Sequence, residues 1–390
     1  MLNDEQRQMV IDCCRELVQA ESYAGREAEA AAVAARWMRA LGYDEVHIGA
    51  YGSVTGRIDG QAGVGTRLHY DGHLDTVPAT ARALWQRDPF GAELAAGAIW
   101  GRGTVDMKGP VAAMICAAAF VSRADLHGIL TVSASVAEEA YEGADLTAIL
   151  REHPADLVVI GEATALQVGV GHKGRAGICV TTHGTPAHSS TPHMGDNAVY
   201  TMMEVIRVLR ELPTHDDPVL GASVLELVEI VSAPYPGTGM VPDLCTTRWD
   251  RRLVRGETQA YVLAEVQAAL APFGDRVQVT VPEVQVAAYT GATLRGTDFH
   301  AAWAIAAEHP FLQAALASVQ AVGLPAQTCA PAYCTNGSAT AGRLGIPTIV
   351  LGPGDPTQLH RIDEHLSIEQ LLLGTQVYME LTRRVLSGAA

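Results

Sequence analysis

The chain has 390 residues, 48% of them hydrophobic and 18% charged, with a formal net charge of −16. That length exceeds what one hydrophobic core usually supports and predicts two domains, while the apolar fraction excludes a disordered chain. The acidic balance argues against a nucleic-acid partner, because phosphate binding needs a basic surface.

Residues 1–21 read as an amphipathic helix carrying Asp4, Glu5, Arg7, Asp12, Arg15 and Glu16. With no uninterrupted apolar core, this segment is not expected to be a signal peptide. No stretch reaches the roughly 18–20 consecutive apolar residues of a membrane span. Seven cysteines without regular C-x-x-C spacing, among them the adjacent Cys13-Cys14, read as buried thiols of a reducing compartment, so the expected location is the cytoplasm.

A second helical pattern covers residues 25–41 and stops at Gly42. Apolar runs at 67–70, 128–133 and 157–160 then alternate with a helix over 110–123, which predicts an α/β sheet covered on both faces. From about residue 173 the pattern changes. Strands near 178–182, 224–231, 246–253 and 277–281, with helices over 197–212 and 258–270, form a strand-helix-strand-strand-helix-strand unit of the ferredoxin-like kind. The α/β character resumes with a helix over 310–322 and a strand at 348–351. The expected architecture is therefore a discontinuous α/β domain, 1–172 and 291–390, with an inserted α+β domain over 173–290.

Five chemically charged motifs fall at strand ends or in loops. His73 lies in Gly72-His73-Leu74-Asp75-Thr76, Asp106 in Gly103-Thr104-Val105-Asp106-Met107-Lys108-Gly109, Glu138-Glu139 after the run at 128–133, Glu162 in Gly161-Glu162-Ala163-Thr164, and His360 in His360-Arg361-Ile362-Asp363-Glu364. Taken singly, each has a bland explanation as a capping, solvated or core residue. Together, two imidazoles and three or four carboxylates suit two borderline metal ions sharing a water, a hydrolytic site. Side chains two apart on a strand share a face, so Asp75 is placed to orient the His73 imidazole. Because His360 must join ligands from the first 162 residues, the metal-bearing domain must be the discontinuous one.

In this order the motifs closely resemble the M20 metallopeptidase and amidohydrolase family, which includes acetylornithine deacetylases, succinyl-diaminopimelate desuccinylases, aminoacylases and glutamate carboxypeptidases. Within it, Thr335-Asn336-Gly337-Ser338, Pro353-Gly354-Asp355 and Asp250-Arg251-Arg252-Leu253 look most like the branch of YgeY-type hydrolases. The resemblance implies a zinc-peptidase-like catalytic domain with a mixed sheet between helices. It implies two divalent metals, most readily Zn2+, with Co2+ or Mn2+ as alternatives. His73, Asp106 and Glu162 would hold one, and Asp106, Glu139 and His360 the other, with Glu138 as general base and Asp75 behind the first histidine.

Gly184-Thr185-Pro186-Ala187-His188-Ser189-Ser190 looks like the family's lid motif, which makes the inserted domain a lid and dimerisation module. It makes His188 the oxyanion donor, with His193 as competitor, and a homodimer the expected assembly. Arg252 and Arg175 are candidates for binding a substrate carboxylate, Asn336 for an amide contact, and Gly171 and Gly174 for hinges. Two departures stand out: Ala163 replaces a usual proline, and Arg361 a usual small residue. The expected reaction is hydrolysis of a small N-acyl amino acid or related amide. A dipeptidase or carboxypeptidase, or a deaminase or ureido hydrolase on the same dimetal centre, is the alternative.

Overall fold

The computed structural model describes residues 1–237 and 239–387. They divide into two compact units. The first comprises Met1–His172, Gln285–Arg295 and the chain from Ala304 on; the second comprises Lys173–Val284 and Gly296–Trp303.

The first unit is built on an eight-stranded mixed sheet, in the order Glu45–Ile48, Val54–Asp59, His127–Ser135, Gly63–His73, Leu157–Ile160, Thr348–Val350, Val168–Gly169 and Thr328–Cys329. The strands Gly63–His73, His127–Ser135, Leu157–Ile160 and Thr348–Val350 run parallel to one another. Buried on both faces, such strands read as continuous apolar runs, which Leu157-Val158-Val159-Ile160 illustrates. The helix Lys108–Phe120 has no polar face and is buried from Lys108 to Ala118, so it sits inside the layer of helices and not on its surface.

The helix Asp4–Gln19 starts at a capping box between Asn3 and Gln6, and Ile368–Leu386 starts at the Ser367 hydroxyl. The C-terminal helix is tied to the central sheet through the buried Tyr70 hydroxyl, 3.0 Å from the Tyr378 carbonyl and 2.7 Å from Thr382 Oγ1. Ends of elements move by a few residues from the sequence reading. The largest change is the strand read at 67–70, which spans Gly63–His73 and so carries His73 as its last residue. Its first residues lack an alternating apolar pattern, and Val64 is fully exposed.

The second unit follows the expected order: strand Gly174–His183, helix Ala198–Arg210, strands Val224–Ala233 and Leu244–Leu253, helix Gln259–Leu270, strand Val277–Thr280. Its sheet runs Val224–Ala233, Leu244–Leu253, Gly174–His183, Val277–Thr280, with Phe299–His300 also paired to the third of these. Asn197 and Thr258 cap the two helices through their side-chain oxygens. A Cβ on Gly174 would lie 2.2 Å from the His300 carbonyl oxygen, so glycine there serves close packing.

All seven cysteines are free thiols; Cys13, Cys14, Cys116 and Cys245 are buried and the others half-buried. Among the described residues no helix is long and apolar enough to cross a membrane.

Candidate metal centre

The parallel strands deliver four of the five motifs to one end of the first unit's sheet, where ligands bind in open α/β folds, and Asp106 comes from the turn before the helix Lys108–Phe120. His73 ends its strand, Glu138 and Glu139 follow His127–Ser135, Glu162 follows Leu157–Ile160, and His360 lies in the loop after Thr348–Val350. Gly352 allows this last crossing, because a Cβ there would come within 2.0 Å of the Gly161 carbonyl oxygen and 2.5 Å of that of Glu162.

Asp106 stands at the centre. Its Oδ1 lies 3.1 Å from His73 Nε2 and its Oδ2 lies 3.0 Å from His360 Nε2. On the first side Glu162 Oε1 is 3.3 Å from His73 Nε2, and on the second Glu139 Oε1 is 3.3 Å from His360 Nε2. Donor atoms of His73, Glu138 and Glu162 all lie within 4.8 Å of one another, as do those of His73, Asp106 and Glu139. The His73 side chain is 1% exposed and that of His360 53%, so solvent reaches the site from the His360 side.

The electrostatics suit cations. Burial, reinforced by Glu162, Glu142 and Glu139 against the pull of His73, pushes Glu138 well above the carboxylate range. Burial and the nearby Asp106 push Glu162 up to about 7. Burial would raise Asp106 too, but its bonds to His360 and His73 outweigh it and hold Asp106 low. Hydrogen bonds to Asp106 and Glu139 lift His360 to about 10. The buried Glu138 Oε1 has no hydrogen-bond partner. A cluster of imidazole nitrogens and carboxylate oxygens with an unsatisfied buried acceptor is the donor chemistry that divalent ions of the zinc class take.

Three further buried carboxylates hold the backbone at or beside these ligands. Asp75 departs from its expected role. His73 Nδ1 hydrogen-bonds the main-chain carbonyl of Asp75 at 2.8 Å, while the carboxylate lies 3.7 Å from the ring. That carboxylate instead accepts the N–H groups of Glu138 and Glu139, at 3.1 and 3.0 Å. Glu27 accepts the N–H of Ala137 at 3.1 Å, on a residue held at φ +60°. Glu364, fully buried, accepts from Val105 and Asp106 through one oxygen and from Gly103 and Arg102 through the other. The sequence reading noted Glu364 only as a neighbour of His360 and passed over Glu27. Their one available signal was position, Glu364 four residues after His360 and Glu27 at the start of a helix, and that is weak.

Asn336 does not fit the substrate contact expected of it. It is buried, its Nδ2 donates to Asp71 at 2.8 Å and Ser135 at 3.3 Å, and its Oδ1 accepts from Gly143 N–H at 2.6 Å, so the amide is engaged within the fold. In the second unit, Arg175 pairs with Asp298 at 3.1 Å and Arg252 with Asp250 at 2.9 Å. His188 is exposed there, and its Nδ1 accepts the Ser190 N–H at 3.1 Å. His193 lies in the short turn Pro192–Met194.

Residues 69–384 match the model of peptidase family M20/M25/M40. The uncharacterized protein YgeY of Escherichia coli (strain K12) is 31% identical over 335 residues, covering 84% of this chain and 82% of its own. A succinyl-diaminopimelate desuccinylase of Rhodospirillum centenum is 27% identical over 343 residues, 83% of each. Among solved structures, the YXEP protein of Bacillus subtilis, a dinuclear metal binding peptidase from the M20 family, shares the fold with a TM-score of 0.71 at 15% identity, over 98% of this chain and 99% of its own.

Proposed function

The chain belongs to peptidase family M20/M25/M40 and is a metal-dependent hydrolase, and from that premise we propose that it cleaves an amide bond of a small N-acyl amino acid or related compound at a centre of two divalent ions, most readily Zn2+. The observation that carries the reading is Asp106, whose two oxygens each face a different histidine, at 3.1 and 3.0 Å. A carboxylate so placed would be shared by the two ions. His73 and Glu162 would complete one position, and Glu139 and His360 the other.

When bound, the metals polarise the amide carbonyl and lower the pKa of water. Glu138 takes the proton of the attacking water and returns it to the leaving amine; burial raises its proton affinity, and cations bound beside it would lower it. Asp75 fixes the peptide planes on either side of Glu138, so the base is aimed by backbone hydrogen bonds. His188 supplies the donor to the oxyanion. Its Nδ1 accepts a backbone N–H, so the neutral ring carries its proton on Nε2. In the second unit, Arg252 and Arg175 are the candidates for a substrate carboxylate.

A dipeptidase reading uses the same residues and is favoured by the fold shared with a dinuclear peptidase. The test is metal analysis beside amine release from N-acyl amino acids and dipeptides. Two metals per chain are expected, with turnover that Glu138→Gln lowers by about 10²- to 10⁴-fold while both metals stay bound. Full activity in that variant, or a chain that binds one metal or none, overturns the proposal.

A further inference from the structure

A cavity of about 620 Å3 opens beside the proposed metal centre within the first unit. One wall is Ala163–Ala165, which directly follows Glu162; another is Asp355–Thr357, three residues before His360; the third is the segment 329–333. The first two walls are pinned together by hydrogen bonds from Thr164 N–H to the Gly352 carbonyl at 3.1 Å and from Ala165 N–H to that of Gly354 at 2.8 Å. The volume falls within the range of about 300–1,000 Å3 typical of small-molecule pockets.

Its surface is mostly methyl and ring carbon, from Ala163, Ala165, Ala330, Pro331 and Pro356. Gln167 and Thr357 add polar side chains to the lining, and three other polar groups are engaged within the fold. Tyr333 Oη donates to the Ala163 carbonyl at 2.5 Å, Thr164 Oγ1 to the Gln167 carbonyl at 2.6 Å, and the Asp355 carboxylate accepts the Thr357 N–H at 2.8 Å. Among the described residues Asp355 carries the only formal charge on the lining, and it is negative; no described Lys, Arg or His lines the cavity. Arg361, the unusual residue beside His360, bonds the Thr357 carbonyl at 3.4 Å from an exposed position and is not part of the lining.

We propose that this cavity receives a neutral aliphatic group of the substrate, either the acyl chain of an N-acyl amino acid or the first side chain of a dipeptide, and that it rejects carboxylated acyl groups such as succinyl. The inference rests on the amide-hydrolase reading and deepens it. An alkyl chain entering the cavity leaves water for carbon surroundings, worth about fourfold in affinity per fully buried methylene. A carboxylate in the same place would find no cationic side chain on the lining, lie against mostly apolar carbon and face Asp355. Ala163, which follows Glu162 directly in the chain, lines the cavity, so a substrate whose carbonyl sits at the metal centre can extend its alkyl chain into it.

Two measurements on the metal-loaded full chain test this. In the first, kcat/KM is compared for acetyl, butyryl, hexanoyl and succinyl derivatives of one amino acid, and for dipeptides beginning with Ala, Leu or Asp. The expected result is hexanoyl above acetyl by about 30-fold or more, Leu above Ala, and succinyl and Asp at least tenfold below their neutral counterparts. Whichever series shows the chain-length rise identifies the source of the alkyl group. Ala330→Trp should collapse the hexanoyl-to-acetyl ratio towards one, and Ala330→Arg should raise the succinyl-to-butyryl ratio at least tenfold. A flat series, a preference for succinyl, or ratios unmoved by both variants overturns the inference.

In the second, N-ethylmaleimide labelling of Cys329, which lines the cavity, is followed by mass spectrometry with hexanamide or succinamate present. Hexanamide should slow labelling and succinamate should not. If no amide is hydrolysed with two metals bound, the proposed reaction falls and labelling alone decides the pocket. Equal protection by both compounds, or by neither, then sinks it.

Discussion

At the scale of single residues, the first unit buries more carboxylates than the proposed metals need, and their protonation sets a pH dependence of stability. Asp145 is 5% exposed and holds the Ser53 hydroxyl and the Val136 N–H, at 3.3 Å for the latter. Burial, with Asp71, Asp75 and Glu27 adding to it, lifts Asp145 from 3.8 to about 8. The folded state therefore keeps a proton that the unfolded chain releases above about pH 4. The contribution is full below that point, declines as the pH rises towards 8 and is lost above it, by an amount on the order of 5 kcal/mol. In Asp145→Asn the amide oxygen can replace the one carboxylate oxygen that accepts from both Ser53 and Val136, and the side chain cannot ionise. Urea midpoints at pH 5 and 8 should fall with pH more steeply in the parent than in the variant. Parallel declines would show that Asp145 keeps its ordinary pKa in the folded protein.

At the scale of elements, the ligands are carried by strand ends but aimed by loops, and Glu364 shows how a loop is held. Its two oxygens take up the N–H groups of Gly103, Val105 and Asp106 and the guanidinium of Arg102, fixing the turn that presents Asp106 to both histidines. In Glu364→Gln one oxygen can still serve Val105 and Asp106, but the new NH2 faces the Gly103 N–H and Arg102, donor against donor, and leaves a buried guanidinium unpaired. We expect a loss of about 3–5 kcal/mol in stability and weaker metal retention against a chelator. Unchanged melting temperature and unchanged metal retention would mean that Asp106 is held by its metals alone. The contrast between ligands and their supports also explains what the sequence could reveal. His73, Glu162 and the Glu138-Glu139 pair interrupt or follow buried apolar runs, so their positions are conspicuous against hydrophobic periodicity. Glu27, Asp145 and Glu364 stand at turns or helix starts, where an acid is ordinarily solvated, and only the packing of distant segments buries them. The engagement of the Asn336 amide was hidden for the same reason: its partners Asp71, Ser135 and Gly143 lie about 190 to 265 positions away in the chain.

At the scale of the whole molecule, the second unit carries an apolar surface that a solitary chain has no use for. Val224–Ala233 is the edge strand of its sheet, and Val224, Val228, Ile230 and Val231 are 45%, 59%, 52% and 46% exposed. On the helix Ala198–Arg210, Tyr200 and Met203 are 68% and 59% exposed. Edge strands in soluble proteins are usually protected by charge, proline or cover, because free N–H and C=O groups beside apolar side chains invite pairing. Here Glu226 and Glu229 are the charges within the strand, and they leave the valine and isoleucine side chains uncovered. Pairing of this edge with its symmetry mate would satisfy both backbones and bury both apolar faces in one isologous contact, the commonest way that copies of one chain associate. We therefore expect a homodimer through the second unit, at a formal charge of −32 for the pair, twice the −16 of one chain. Such a charge opposes association at long range, so the dimer should tighten as salt rises, as expected for an apolar contact between like-charged partners. Light scattering at 50 and 500 mM salt should give twice the 41.2 kDa chain mass at both, with dissociation on dilution more pronounced at the lower. The double variant Val228→Lys with Ile230→Lys should be monomeric at both salts, retaining its fold by circular dichroism and its two metals. A parent that runs as a monomer, or a variant that stays dimeric, would remove the edge strand from the interface and leave its exposed valines without this explanation.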